Sequence, residues 1–243
     1  MKAVVFEIWG DYGLFRKFYT TSSPLTFSFP PPTAVAGMIG AVLGLSREDY
    51  LEKLNASTFD VAVAMINPLK KTRMTINHIE TKGAIEMSKI RERTQTRSEF
   101  LKDAKFKLYI YFKDDSLRDE FRELLMNGKT YYTLCLGLSE LIAGFRYLGE
   151  YEIDKIKGSE MKSVKSVLLA DRIEKEGIEF KKGGKYIKER IPVSMKPDRS
   201  VDLYRTALFN ANAESMEVRA KDLWSAGDGE TIMFLGPLLS QES

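Results

Sequence analysis

His78 is the single histidine of the 243 residues and Cys135 the single cysteine. Metal sites built from several imidazoles or thiolates are therefore excluded, and any histidine-dependent triad must turn on this one residue. A phosphodiester can be cleaved without metal by a general base, a general acid and a cation that meets the charge developing on phosphorus. His78, a tyrosine such as Tyr12 or Tyr19, and nearby lysines are the right residue types. The plainer reading of His78 is a polar residue on a solvated basic segment with no partner to orient it. Carboxylates are interleaved with Lys and Arg, as on an ordinary surface, and none of the acidic clusters that hold catalytic metal stands out. There is no Walker-type glycine loop, and no Gly-x-Gly-x-x-Gly follows a strand. No cofactor and no metal is expected. Cys135 lies in the apolar run 132–136 and reads as a core thiol, which fits a reducing compartment.

Phosphate and base binding are better provided for. Phe27-Ser28-Phe29 stops at Pro30-Pro31-Pro32, and Thr33 stands where a helix N-cap belongs. The helix over 33–45 is apolar all round and carries Gly37, Gly40 and Gly44. Each glycine costs roughly 1 kcal/mol of helix propensity, which close packing or the close approach of a ligand must offset. The helix start is a natural phosphate seat. Just before it, residues 11–23 mix Tyr12, Phe15, Arg16, Lys17, Phe18, Tyr19, Thr20 and Ser22. Such a loop can stack splayed bases and hold phosphates, or simply fold over a sheet edge.

Residues 70–107 hold eleven basic and five acidic residues, an excess of six against +3 for the whole chain. Lys70, Lys71, Arg73, His78, Lys82, Arg91, Arg93 and Arg97 fall on a stretch with few large apolar residues. It reads as an excursion from the core, a long hairpin or partly ordered arm. A solvated Lys/Glu-rich face is one explanation; contact with a phosphate backbone is the other.

Stepping outward, the elements that must position these residues follow a β-α-β-(arm)-β-α-β order. Strands are expected at 3–9, 60–66, 106–112, 131–136 and 145–153, and helices at 33–45, 47–54 and 117–126. This is the split βαβ, ferredoxin-like (RRM-like) α+β pattern, occupying 1–155 with the arm at about 70–105. A small β-rich region, 156–243, packs on it, with a strand at 164–169, a Gly183-Gly184 hairpin over 178–187 and a second hairpin at Asp228-Gly229. The longest uncharged apolar run, 34–45, is too short to span a bilayer, and the N-terminus lacks the layout of a signal peptide. A soluble cytoplasmic protein is expected, away from membranes. Glutamine occurs only at Gln95 and Gln241 while Lys and Glu abound, a composition reported for thermophile proteins.

The stretch Tyr19-Thr20-Thr21-Ser22-Ser23-Pro24 through Pro31-Pro32-Thr33-Ala34-Val35-Ala36-Gly37-Met38-Ile39-Gly40 resembles the N-terminal signature of a CRISPR-associated family. This is the Cascade subunit that holds the 5′ handle of CRISPR RNA, in the repeat-associated mysterious protein superfamily. Leu136-Gly137-Leu138-Ser139-Glu140 is similar to its second block, and Glu189-Arg190-Ile191-Pro192-Val193 with Arg199 to its C-terminal part. The resemblance implies a thumb hairpin, corresponding to the basic arm. It also implies that Arg16, Lys17, Tyr19, Thr20, Ser22, Thr33 and Gly37 face the RNA handle. Implied partners are CRISPR RNA and the backbone and large subunits of Cascade, with target DNA met only indirectly. One branch of the family cleaves precursor RNA with a tyrosine, a lysine and a histidine, usually beside a larger C-terminal domain. The expectation is therefore a non-catalytic RNA-binding subunit. An endoribonuclease using His78 is the alternative, and a module docking an acidic protein partner a third.

Overall fold

The computed structural model describes residues 1–20, 22–79, 93–158 and 160–241. It is a sheet-rich α+β fold. The elements run β1 (Lys2–Gly13), α1 (Pro32–Leu43), α2 (Tyr50–Lys53), β2 (Phe59–Met65), β3 (Lys71–Ile79), β4 (Arg93–Phe112), α3 (Asp115–Met126) and β5 (Gly144–Lys155). After these come β6 (Lys162–Val164), β7 (Leu168–Leu169), β8 (Ile173–Glu179), β9 (Tyr186–Met195), β10 (Val201–Asn210), β11 (Met216–Ala220), β12 (Leu223–Ala226), β13 (Thr231–Met233) and α4 (Leu238–Gln241).

Among the described residues the main sheet has the order β2-β4-β1-β5-β12-β13-β6-β11-β8, with β3 pairing the outer half of β4. Pairing among β2, β4, β1 and β5 is antiparallel throughout. A second sheet, β7-β10-β9, packs near α1. Alternation along β1 sends Val4, Phe6 and Ile8 to a core under α1 and α3, and Ala3 and Val5 to a second cluster with Trp224, Ile232 and Phe234. The sheet crosses residue 155 without a break, because β12 pairs the end of β5.

The tail is clamped onto β2 by Asp60. Its buried carboxylate accepts from Gly236 N (2.6 Å) and Val61 N (2.8 Å), and burial pushes its pKa up to about 6. The same face of the sheet, away from α1, carries a self-bonded polar cluster. Lys107 Nζ lies 2.6 Å from Asp228 Oδ2 and 3.3 Å from Glu230 Oε1, and Tyr109 Oη is 2.7 Å from Glu230 Oε2. Burial opposes the Lys107 charge, but the two carboxylates outweigh it and raise its pKa. Burial and the same carboxylates hold the Tyr109 phenol well above its ordinary range.

Four expected elements differ. The helix expected over 47–54 is confined to α2, Tyr50–Lys53. Residues 131–136 form no strand beyond a bridge from Cys135 to Ile142. The amides of Tyr131 and Tyr132 instead donate to Val42 O and Ala41 O, satisfying carbonyls that the end of α1 leaves open. The Gly183-Gly184 turn forms, with Gly184 N bonded to Lys181 O, but its flanking strands diverge: β8 pairs β11 and β9 pairs β10. The strand expected at 164–169 splits into β6 and β7 because Ser166 bridges Ala64 and its hydroxyl accepts from Met233 N. The Asp228-Gly229 hairpin forms as expected between β12 and β13.

Candidate nucleic-acid interface

Helix α1 buries Val35, Ala36, Met38, Ile39, Val42 and Leu43, which leaves Thr33, Ala34, Gly37 and Ala41 along its outer face. No large side chain rises from this face. A Cβ at Gly37 would meet nothing within 4 Å, whereas one at Gly40 would meet Tyr50 at 3.2 Å and one at Gly44 the Tyr131 ring at 2.5 Å. Gly40 and Gly44 are packing residues, and Gly44 also ends the helix at φ 70°. Gly37 opens onto solvent.

The N-cap is Pro31, not Thr33, and no side chain among the described residues caps the helix. Pro32, the first helical residue, has no N–H, and the amides of Ala34 and Val35 bond back to Pro31 O. The helix start is thus a poorer phosphate seat than the sequence suggests. What Thr33 contributes is a place on the floor of a cleft.

Three adjoining hollows of about 280, 380 and 400 Å³ lie over this floor. One wall is the segment Phe15–Phe18, a second is Cys135 to Leu138, and the third brings Arg47, Tyr50, Tyr132 and Arg199 together. The first wall is a narrow ribbon rather than a free loop: Lys17 N donates to Leu25 O and Phe27 N to Phe15 O. The second is braced by Gly137, whose φ is 100°; a Cβ there would stand 2.0 Å from Leu14 O. Burial pushes the Cys135 thiol up, so it remains an uncharged lining group. Arg199 projects from a tight turn at φ 67° and donates to Arg47 O at 3.1 Å. Among the described residues that line the cleft there is no carboxylate, while Arg16, Arg47 and Arg199 all do.

The expected site residues separate into several groups. Arg16, Thr33 and Gly37 line the cleft. Tyr19 is 57% exposed, and Ser22 is exposed at the loop tip. Lys17 is committed elsewhere: its Nζ is 2.5 Å from Glu189 Oε1, whose partner oxygen accepts from Ser28 N. Burial opposes the Lys17 charge, and Glu189 more than compensates, raising its pKa. Thr20 is turned inward, its hydroxyl donating to Lys17 O and accepting from Leu25 N, so it holds the ribbon together.

On the arm, Lys70 pairs with Asp103 and Lys71 with Glu99 and Thr26 O. Register places Arg73 opposite Glu99, Thr75 opposite Arg97 and Ile79 opposite Arg93, so these arginines share one face. They have no ion-pair partner among the described residues. Leu101, in the same row, is part of the core under α1, so the row continues the helix side of the sheet. His78 lies on the reverse face, exposed, opposite Thr94. Lys82 and Arg91 lie outside the described residues. Arg47, Tyr50 and Tyr132 were missed in the sequence, since nothing in their local pattern marks them as neighbours.

Residues 3–209 match the family model of the CRISPR-associated protein Cas5. The chain belongs to the Cas5 family. No curated protein sequence matches it significantly. Among solved structures, this Cas5 chain is similar to a CRISPR protein from Archaeoglobus fulgidus, at 14% identity and TM-score 0.55 over 96% of this chain and 98% of that one. It is also similar to a chain of a CRISPR RNA-guided surveillance complex, at 15% identity and TM-score 0.50 over 90% and 91%. A third similar chain comes from a type III-B Cmr-beta complex bound to cognate target RNA and AMPPnP, at 12% identity and TM-score 0.51 over 88% and 86%. At these identities the likeness is one of fold.

Proposed function

We propose that this Cas5 protein is a non-catalytic, RNA-binding subunit of a cytoplasmic CRISPR effector ribonucleoprotein. It grips the 5′ handle of the CRISPR RNA and caps the backbone filament, beside the large subunit. Its first 155 residues form a ferredoxin-like unit, a reading supported by the antiparallel order β2-β4-β1-β5. The observation that carries the function is the cleft over α1, with arginines in its walls, small residues on its floor and no carboxylate among its described lining. Such a surface lets a phosphate backbone lie close to the helix while charge-assisted hydrogen bonds hold it. The row of Arg73, Arg97 and Arg93 supplies further phosphate contacts. His78 favours no cleavage chemistry: it is exposed, on the reverse face of the arm, with no orienting partner among the described residues.

The test is to co-purify the full chain with its partner subunits and CRISPR RNA, then digest with nuclease. The 5′ end should be protected, and free repeat RNA should stay intact with or without chelator. Specific cleavage that disappears in His78→Ala would overturn the non-catalytic reading, and an unprotected 5′ end would overturn the handle assignment.

A further inference from the structure

At the rim of the cleft, side chains from three separate segments meet in a ladder. Phe18 is 53% exposed and Tyr19 57% exposed, and they meet edge to face with ring centroids 5.0 Å apart. Phe18 also lies against Tyr204 of β10 at 4.9 Å, with the planes tilted by 46°. The guanidinium of Arg190, on β9, sits 4.7 Å from the centroid of the Tyr204 ring. Lys188, two residues before Arg190 and on the same face of β9, is exposed. Neither Phe18 nor Tyr19 is covered by the core, so each leaves a large aromatic surface in water.

We propose that this ladder is a stacking platform for an unpaired base of the bound RNA, with Arg190 and Lys188 meeting the neighbouring phosphates. This rests on the RNA-binding reading above and extends it to a particular contact. Continuity supports it, because Phe18 lines the cleft alongside Arg16 and Arg199, so a strand leaving the cleft passes onto the ladder. Charge supports it as well: a guanidinium stacked on one ring and a lysine beside it complement phosphates rather than an apolar side chain. Every base has a π face, so the platform tolerates any base and adds affinity rather than sequence readout.

Effector complex would be reconstituted with CRISPR RNA carrying 2-aminopurine at successive handle positions. In the wild-type complex one position should be quenched by stacking. Phe18→Leu keeps an apolar side chain without the π face; it should abolish that quenching and weaken RNA binding about tenfold. Phe18→Tyr should restore both, which a merely space-filling role would not require. Arg190→Gln and Lys188→Gln should each shallow the log affinity against log salt slope by about 0.7. The proposal is overturned if Phe18→Leu binds and quenches like wild type. It is equally overturned if Phe18→Leu leaves RNA affinity unchanged while blocking subunit assembly, which would make the ladder a protein-docking face. A wild-type complex that retains no RNA defeats the broader reading instead, and shows it without any variant.

Discussion

The two faces of the central sheet carry polar groups of the same kinds and use them in opposite ways. On one face Lys107 and Tyr109 are bonded to Asp228 and Glu230, with Lys107 and Asp228 each 14% exposed. On the other, Arg47 and Arg199 enter a cleft with no carboxylate among its described lining. The first cluster fastens the β12–β13 hairpin to β4. The second places positive charge along the walls of an open cleft. A charge count along the sequence does not distinguish the two; only the partners do.

The sharpest way to break this contrast is to exchange the readouts. Lys107→Met leaves Asp228 and Glu230 facing each other and should lower stability by about 3 kcal/mol, with RNA retention unchanged. Arg47→Ala with Arg199→Ala should do the reverse, weakening RNA binding at least tenfold while the melting temperature holds. Denaturant melts and filter binding on the same preparations decide it, and a variant that moves both readouts together would erase the distinction. Within the arm the contrast is smaller. Changing Arg73, Arg93 and Arg97 to Gln should shallow the salt slope of RNA binding by about 2, whereas Lys70→Gln with Lys71→Gln should leave it unaltered, because those lysines already have carboxylates. An equal change in both would put the arm's lysines back among the phosphate contacts. The smallest effect is at Gly37. Gly37→Ala meets no neighbour and should raise stability by up to about 1 kcal/mol, yet weaken RNA binding severalfold by lifting the cleft floor. A gain in stability with no change in binding would remove Gly37 from the interface.

Much of this was legible in the residues. The apolar glycine helix, the amphipathic helix ending at Asn127-Gly128 and the Asp228-Gly229 hairpin follow from local pattern alone. The β3–β4 pairing at 71–79 and 93–101 falls where the sequence has few large apolar residues to bury. What local pattern could not supply was pairing at a distance. Lys17 looked like a phosphate ligand beside Arg16, but Glu189 takes it from 172 residues away. Tyr131 to Leu136 alternates like a strand, yet its amides are taken by the end of α1. The third wall of the cleft joins Arg47, Tyr132 and Arg199 from three distant segments, so no spacing rule could have gathered them.

Asp103 holds one more consequence. It adopts φ 52° in the middle of β4, with its carboxylate on Lys70 and its carbonyl accepting from Asn67 Nδ2. On either side of it Leu101 and Ala104 both reach the core under α1, although three positions of a regular strand would place them on opposite faces. The residue therefore acts as an inverter of parity: the described outer part of β4, residues 93–102, is turned over relative to the rest of the strand. Had Asp103 been extended, the same letters would aim Arg93 and Arg97 at the face that carries Lys107 and Tyr109, and His78 at the helix side of the sheet. Which chemistry the arm presents to a strand lying over α1 is thus decided by one backbone angle, ten residues from the first of those arginines.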